Sequence, residues 1–350
     1  MSRPTVLVLG ANGRFGRAAV EAFAAAGWRT LAQVRRAPIS PLPHGAQAID
    51  VPLDATAALC AQAAGATVLV YGINPLYTRW DAELMALFEQ GLAIADALRA
   101  RFMLPGNVYN YGAGMPPLLR EDTPEHPTTT KGRQRVAMED RLRERARRGL
   151  DSVVIRAGDF FGSGAGSWFD QAIAKDIRRG RIVYPGPRDL PHAWAYVPDL
   201  ARAFVAVASR PAAGGFERLN FAGHTLTGDE FVAALEQAAG ELGLAPPRGW
   251  RVGRFPWPLI RVAGLFVPML RELSRMSYLW RVPHALDGTA LARTAGPLPS
   301  TPIVAALRQA LVDLGMRHGV GESSSSTAHT RLPGLRLRRD LDAQTLREPR

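Results

Sequence analysis

Short apolar runs and alanine-rich amphipathic stretches alternate through the first half of the chain. TVLVLG, RTLAQVR, ATVLVYG, RFMLPG and SVVIRAG are dense in aliphatic side chains and bounded by Gly or charged residues, the pattern of strands buried on both faces. Between them RAAVEAFAAAG, ATAALCAQAAG, DAELMALFEQGLAIADALRA and VAMEDRLRERARRG carry the periodicity of helices. This alternation predicts an α/β fold, a Rossmann-type doubly wound parallel sheet.

After about residue 160 the rhythm loosens into Gly- and Pro-rich loops (GSGAGS, YPGPRDLP) and the helices TGDEFVAALEQAAGELG and TPIVAALRQALVDLG. The expected organisation is a nucleotide-binding domain over 1–160, its sheet completed by elements from about 180–225, and a mainly substrate-side lobe over 161–316. The Ser-rich polar segment 317–350 is expected to be a disordered tail, having too few large apolar groups to offset its ordering entropy. FPWPLIRVAGLFVPML (255–270) is apolar, yet too short to span a bilayer and interrupted by Arg261 and prolines. It reads as a lid or the lining of an apolar substrate cleft, with peripheral membrane contact as the alternative.

A 350-residue chain that is 47% hydrophobic can bury such a core. Its net charge of +12 raises the question of a nucleic-acid or anionic-membrane partner. Basic residues interleave with acids in RLRERARR (141–148) or fall in the tail, as on a solvated surface, so no nucleic acid is expected. One cysteine, Cys60, excludes a disulfide framework and a cysteine metal cluster. No leader or transmembrane segment is evident at the start, and the expected compartment is the cytoplasm.

The first strand runs directly into GANGRFG, which sets Gly10, Gly13 and Gly16 at the head of a helix. Glycines allow a tight turn and close backbone approach to a pyrophosphate, while the helix N-terminus offers unpaired N–H groups. Gly10, Asn12, Gly13, Arg14, Phe15 and Gly16 are therefore the expected cofactor cradle. At the end of the second strand, where an NAD site usually places an acid, stand Arg35 and Arg36. With Arg14 they could pair a 2′-phosphate, which favours NADP and leaves NAD open; the alternative is a pair of solvated arginines.

With these residues in place, residues 4 to 316 resemble the extended short-chain dehydrogenase/reductases, the NAD-dependent epimerase/dehydratase group. Asp50 looks like the family's acid near the adenine, and YGINP (71–75), with Asn74, takes the place of the loop beside the cofactor. NVYNYG (107–112) resembles the segment ending in Val-Tyr-Gly, RAGDFFGSG (156–164) the Arg-led loop, AYVPDLARAF (195–204) the Val-x-Asp element, and FERLNFAG the Asn-Ile-Gly strand. The resemblance implies an NAD(P)-binding oxidoreductase, epimerase or dehydratase of a hydroxyl or carbonyl small molecule, including nucleotide sugars. It also implies a homodimer through the family's long fourth and fifth helices, a face that RLRERARR makes highly charged.

The family's catalytic helix carries Tyr-x-x-x-Lys with a Glu four residues later. Counted back from Glu139, Arg135 stands where the lysine belongs and Lys131 where the tyrosine belongs; counted back from Gly112, Asn107 stands at the catalytic Ser or Thr. Arg135 can grip a ribose but cannot give up a proton, and Asn107 can polarise a carbonyl but cannot relay one. Lys131 serves as acid/base only if burial and a neighbouring cation depress its pKa; otherwise it is a structural or phosphate-binding lysine. Tyr109 is a further catalytic candidate, beside Tyr111, the family's structural tyrosine. Tyr77, Trp80, Asp159, Trp168 and Trp194 are the expected substrate contacts, with ordinary core packing as the alternative for the lobe's aromatics. His192, Asp199 and PHALDG (283–288) are weaker polar candidates. Two functions stay open: an atypical NADP-dependent enzyme, or a non-catalytic NADP-binding sensor or assembly factor.

Overall fold

The computed structural model describes residues 3–35, 41–298 and 300–316; Arg36 and the expected tail over 317–350 lie outside the described residues. The described residues belong to one compact unit. Its first half runs β1 (Thr5–Leu9), α1 (Arg14–Ala25), β2 (Arg29–Gln33), β3 (Ala46–Ile49), α2 (Thr56–Gln62), β4 (Val68–Tyr71), α3 (Trp80–Leu98), β5 (Arg101–Gly106), β6 (Leu118–Leu119), α4 (Thr130–Ala146) and β7 (Ser152–Arg156). The second half adds β8 (Asp159–Phe161), β9 (Arg181–Tyr184), β10 (Pro191–Tyr196), α5 (Val197–Ala208), β11 (Phe216–Asn220), β12 (His224–Thr227) and α6 (Gly228–Glu241). It continues with β13 (Arg251–Arg254), α7 (Trp257–Ala263), α8 (Pro268–Arg275), β14 (Ala285–Leu286), α9 (Thr289–Ala295) and α10 (Ile303–Asp313).

Seven parallel strands form the central sheet in the order β11-β7-β5-β4-β1-β2-β3, so the fold is the expected doubly wound one. Strand order reverses between β1 and β4, where an open α/β sheet leaves a crevice at its carboxyl edge. The loops after β1 and β4 meet there. The short, half-exposed β3, of sequence AQAI, is a strand that the apolar pattern did not single out, because an edge strand buries little.

One apolar layer packs α3 and α4 on the sheet through Leu84, Phe88, Met138 and Leu142; the other packs α1 and α5 through Phe15, Phe23, Leu200 and Phe204. A third cluster, with Phe161, Trp194, Phe231 and Leu307, is the core of the smaller lobe around the β8-β10-β12 sheet. Among the described residues no helix is long and apolar enough to cross a membrane.

Candidate active site

The turn between β1 and α1 is shaped by its glycines. Gly10 holds a left-handed φ of 73°, and a Cβ on it would press on Ile73 and Gly72 at 3.0 to 3.2 Å. A side chain on Gly16 would run into the Gly10 carbonyl oxygen, which already accepts from Gly13 N at 2.9 Å. Gly13 opens α1 with no side-chain cap, and the first turn holds no acid, so its amide donors and the positive end of the helix dipole are left for an anion. Buried Gln33, a residue without a sequence signature, braces the loop: its Oε1 accepts from Gly10 N at 3.2 Å while its Nε2 donates to the Val51 carbonyl at 2.9 Å. Asn12 is half-buried in the loop, and Arg35 and Asp50 are exposed beyond β2 and β3.

Two cradle residues behave differently from expectation. Arg14 does not reserve its guanidinium for a 2′-phosphate; it reaches across the cleft and donates to the Phe160 carbonyl at 3.1 Å. Burial lowers its pKa against the pull of Asp170, Asp159 and Tyr77. The Phe15 ring packs edge-on against Phe204 at 4.9 Å in the core, so only its backbone can meet a cofactor.

Thr129 caps α4 by accepting from Gly132 N at 3.1 Å, and side-chain-free Gly132 lets the first turn pack against the Tyr109 carbonyl. Further along the helix, Glu139 sits in a buried ion cluster. It accepts from Arg156 Nε (3.0 Å) and Nη2 (2.8 Å), from Arg218 Nε (3.2 Å) and from Asn110 Nδ2 (3.1 Å). Glu125 joins Arg156, Asn110 and Arg218 from the preceding loop. Burial opposes the Arg156 charge, but Glu139, Tyr111 and Glu125 outweigh it and hold its pKa above the ordinary arginine value. Tyr111 lies flat beneath that guanidinium at 4.7 Å.

The N-terminal end of α4 is organised otherwise. Lys131, buried, pairs with Glu272 of α8 at 3.0 Å and donates to the Tyr77 carbonyl at 2.7 Å, with the Tyr77 and Trp80 rings 4.9 and 5.0 Å away. These contacts engage Nζ with a carboxylate and a carbonyl and tie α4 to α8. Arg135 lies over the Trp80 ring at 4.9 Å and donates to Asn74 Oδ1 at 3.3 Å, while its buried Nε has no partner. Burial lowers its pKa, countered by Tyr109, Tyr77 and Tyr71. Trp80 itself is fully buried, its indole donating to the Pro75 carbonyl at 2.9 Å: it is the floor beneath the two cations, not a substrate contact.

Opposite these cations, two hydroxyls meet. Tyr77, in a single 3₁₀ turn before α3, and Tyr109, in another after β5, bring their phenolic oxygens to 2.5 Å. Asn107 fixes the second tyrosine by accepting from its amide at 3.0 Å. Burial pushes Tyr77 up to about 12, with Tyr109 and the two arginines pulling the other way, and raises Tyr109 well above the ordinary tyrosine value as well. Across the cleft Asp159 is hydrogen-bonded to His192 at 2.9 Å, and His192 stacks parallel on Trp280 at 4.5 Å. His284 packs edge-on against His192 at 4.7 Å, and burial, aided by His192, lowers its pKa to about 4. The buried Tyr278 hydroxyl, unpartnered, feels both Tyr77 and Asp159.

The lobe aromatics resolve in favour of packing. Trp194 is fully buried, stacked on Phe231 at 4.2 Å, and does not reach the cleft; Phe169 and Tyr196 share that core. Trp168 is half-buried against Phe255, Trp257 and Trp280. Asp199 is buried on α5 and holds Thr301 and Arg202, a structural tie. Glu272 and Tyr278 escaped the sequence reading; the available signal for Glu272 was that it is the sole acid between Glu241 and Asp287.

A parallel sheet with a glycine turn at its switch point defines a Rossmann-type α/β protein. The chain belongs to the NAD dependent epimerase/dehydratase family, whose profile matches residues 6–222. No curated protein sequence matches it. Solved structures share the fold at low identity. MoeE5 in complex with UDP-glucose and NAD is 17% identical, with 89% of this chain and 98% of that one covered and a TM-score of 0.66. UDP-glucose 4-epimerase of Thermotoga maritima with UDP-glucose is 15% identical over 88% and 98%, TM-score 0.66. L-threonine dehydrogenase of Phytophthora infestans is 17% identical over 90% and 100%, TM-score 0.65.

Proposed function

We propose that this protein is an NADP-dependent oxidoreductase or epimerase of a small hydroxyl or carbonyl compound, in which the Tyr77–Tyr109 pair takes over the proton chemistry from the catalytic helix. The observation that carries the reading is the 2.5 Å contact between the two hydroxyls, flanked by Arg135 and facing Asp159. The glycine turn and the uncapped start of α1 suit a dinucleotide diphosphate. Arg135 and Asn74 suit the nicotinamide ribose, and exposed Arg35 a 2′-phosphate. Bound there in reduced form, the cofactor supplies a hydride to carbon.

The chain's own part is to manage the oxygen. As a substrate carbonyl becomes an alkoxide, the Tyr77 hydroxyl gives it a proton, the phenolate so formed accepts the Tyr109 hydrogen bond, and solvent returns the proton to Tyr77 once product leaves. A phenol held near pKa 12 is protonated at neutral pH, which suits donation and hence the reductive direction. Asn107 and Arg135 donate to the same oxygen, and Asp159, oriented by His192, accepts from a neighbouring substrate hydroxyl. The UDP-sugars named with two of the structural neighbours make nucleotide sugars the first substrates to try.

A second reading, cofactor binding without turnover, draws on Lys131, which stands at the family's tyrosine position yet is consumed by Glu272 and a carbonyl. Calorimetry with NADPH and NADH, followed by NADPH oxidation over a panel of carbonyl compounds and nucleotide-sugar ketones, separates the two. NADPH binding with turnover supports the enzyme, NADPH binding without turnover the sensor, and the lack of any dinucleotide binding refutes both.

A further inference from the structure

We infer that the hairpin of α7 and α8 is a docking surface for an anionic lipid bilayer. Its tip presents Leu259, Val262, Leu265 and Phe266 at 65, 60, 74 and 82% exposure, together with Leu76 the most exposed large apolar side chains among the described residues. Leu259 and Val262 share one face of α7, and the turn that follows keeps winding, Leu265 N donating to Val262 O and Phe266 N to Ala263 O at 3.1 Å each, which sets both tip residues on the continuation of that face. A contiguous apolar tip on a soluble fold marks an interaction site.

The surrounding charge chooses the partner. From Leu242 to Arg271 the sequence has no acidic residue. Arg251, Arg254, Arg261 and Arg271 in and beside the hairpin are exposed, and none forms an ion pair among the described residues. Glu272, the nearest acid, is turned inward to Lys131 and held by Arg275. An apolar tip within a collar of unpaired guanidinium groups matches the acyl boundary and phosphate headgroups of an anionic leaflet.

The hairpin is also stiff enough to insert as a unit. Gly264 lets α8 cross α7 so closely that a Cβ there would lie 3.0 Å from the Arg271 backbone. At its base Trp257 donates to the Pro185 carbonyl at 2.6 Å and packs on Phe255 and Trp168. The aromatic base is thereby fixed in the lobe while the tip remains outside it, so the segment's apolar character is not used up in lining the cleft. Three prolines and the short length of both helices place it on the membrane and not through it.

The test is co-sedimentation of the full chain with phosphatidylcholine vesicles and with mixed phosphatidylcholine–phosphatidylglycerol vesicles. The protein is expected to partition onto the mixed vesicles, to release as salt is raised, and to ignore pure phosphatidylcholine. Leu265→Asp/Phe266→Asp and, separately, Arg261→Glu/Arg271→Glu should each weaken partitioning by about tenfold or more while the thermal midpoint stays put, since all four side chains are exposed. Absence of partitioning, or partitioning unchanged in both variants because residues elsewhere drive it, overturns the inference. So does a dimer in sedimentation velocity that Leu265→Asp/Phe266→Asp dissociates without any vesicle binding, since the tip would then be covered by a second copy.

Discussion

Two charged clusters flank the same helix, and they are built to different ends. Around Glu139, cations and carboxylates are paired at 2.8 to 3.2 Å and sealed beneath α4, with Tyr111 stacked below and with Arg156 Nη1 and Asn110 Oδ1 left without a partner. One to two turns earlier, Lys131 and Arg135 share their surroundings with a hydroxyl pair and leave buried Arg135 Nε unpartnered at the cleft. A buried carboxylate tied to two guanidinium groups specifies the fold, whereas a cation and hydroxyls gathered beside a cleft are what a polar ligand would complete. Burial and charge alone do not distinguish structure from chemistry, and neither does an unpartnered polar atom, since each cluster holds at least one; the difference lies in the partners, carboxylates around Arg156 and hydroxyls beside Arg135.

The sharpest way to break this contrast is Arg156→Met. It leaves Glu139 and Glu125 facing each other with one cation fewer, which should cost roughly 3 to 5 kcal/mol in denaturant unfolding. A loss below about 1 kcal/mol would mean that the sealed cluster is no more structural than a surface pair.

Next comes the histidine behind Asp159. His284 has a folded pKa of about 4 against 6.5 unfolded, so the unfolded chain binds the extra proton first. Stability from this group is full above pH 6.5 and declines as pH falls toward 4, by on the order of 3 kcal/mol. His284→Asn, which keeps a donor for the Val282 carbonyl, should flatten the pH dependence of the melting temperature in that window. An unchanged slope would show that His284 is protonated in the folded state.

A smaller effect sharpens the cofactor end. Arg35→Ala should weaken NADPH about tenfold and leave NADH untouched, since one charge-assisted pair is worth about 1.5 to 3 kcal/mol before solvent screening. Parallel losses for both cofactors would remove Arg35 from the 2′-phosphate.

What the sequence disclosed follows from how local each feature is. The parallel sheet and the glycine turn are written in contiguous segments, and Glu139 sets the register of α4 from a single helix. Edge strand β3 hides because AQAI lacks the apolar density of its neighbours. The cleft is assembled from afar: Arg14 meets Phe160 across 146 residues, and Lys131 meets Glu272 on a different helix. Tyr77 and Tyr109 each stood out as a candidate, yet nothing in two separate loops announces that their hydroxyls touch. Trp80 and Trp194 misled for the converse reason, since an aromatic looks the same in sequence whether it lines a pocket or fills a core.

The most direct test sets Tyr77→Phe against Lys131→Met in NADPH oxidation, with cofactor affinity and melting temperature measured alongside. Tyr77→Phe is expected to lower turnover by about a hundredfold or more at unchanged NADPH affinity. Lys131→Met is expected to cost about 2 kcal/mol of stability by leaving Glu272 unpaired while turnover persists. Full activity in Tyr77→Phe together with its loss in Lys131→Met would contradict the tyrosine pair as proton donor and return that role to the helix.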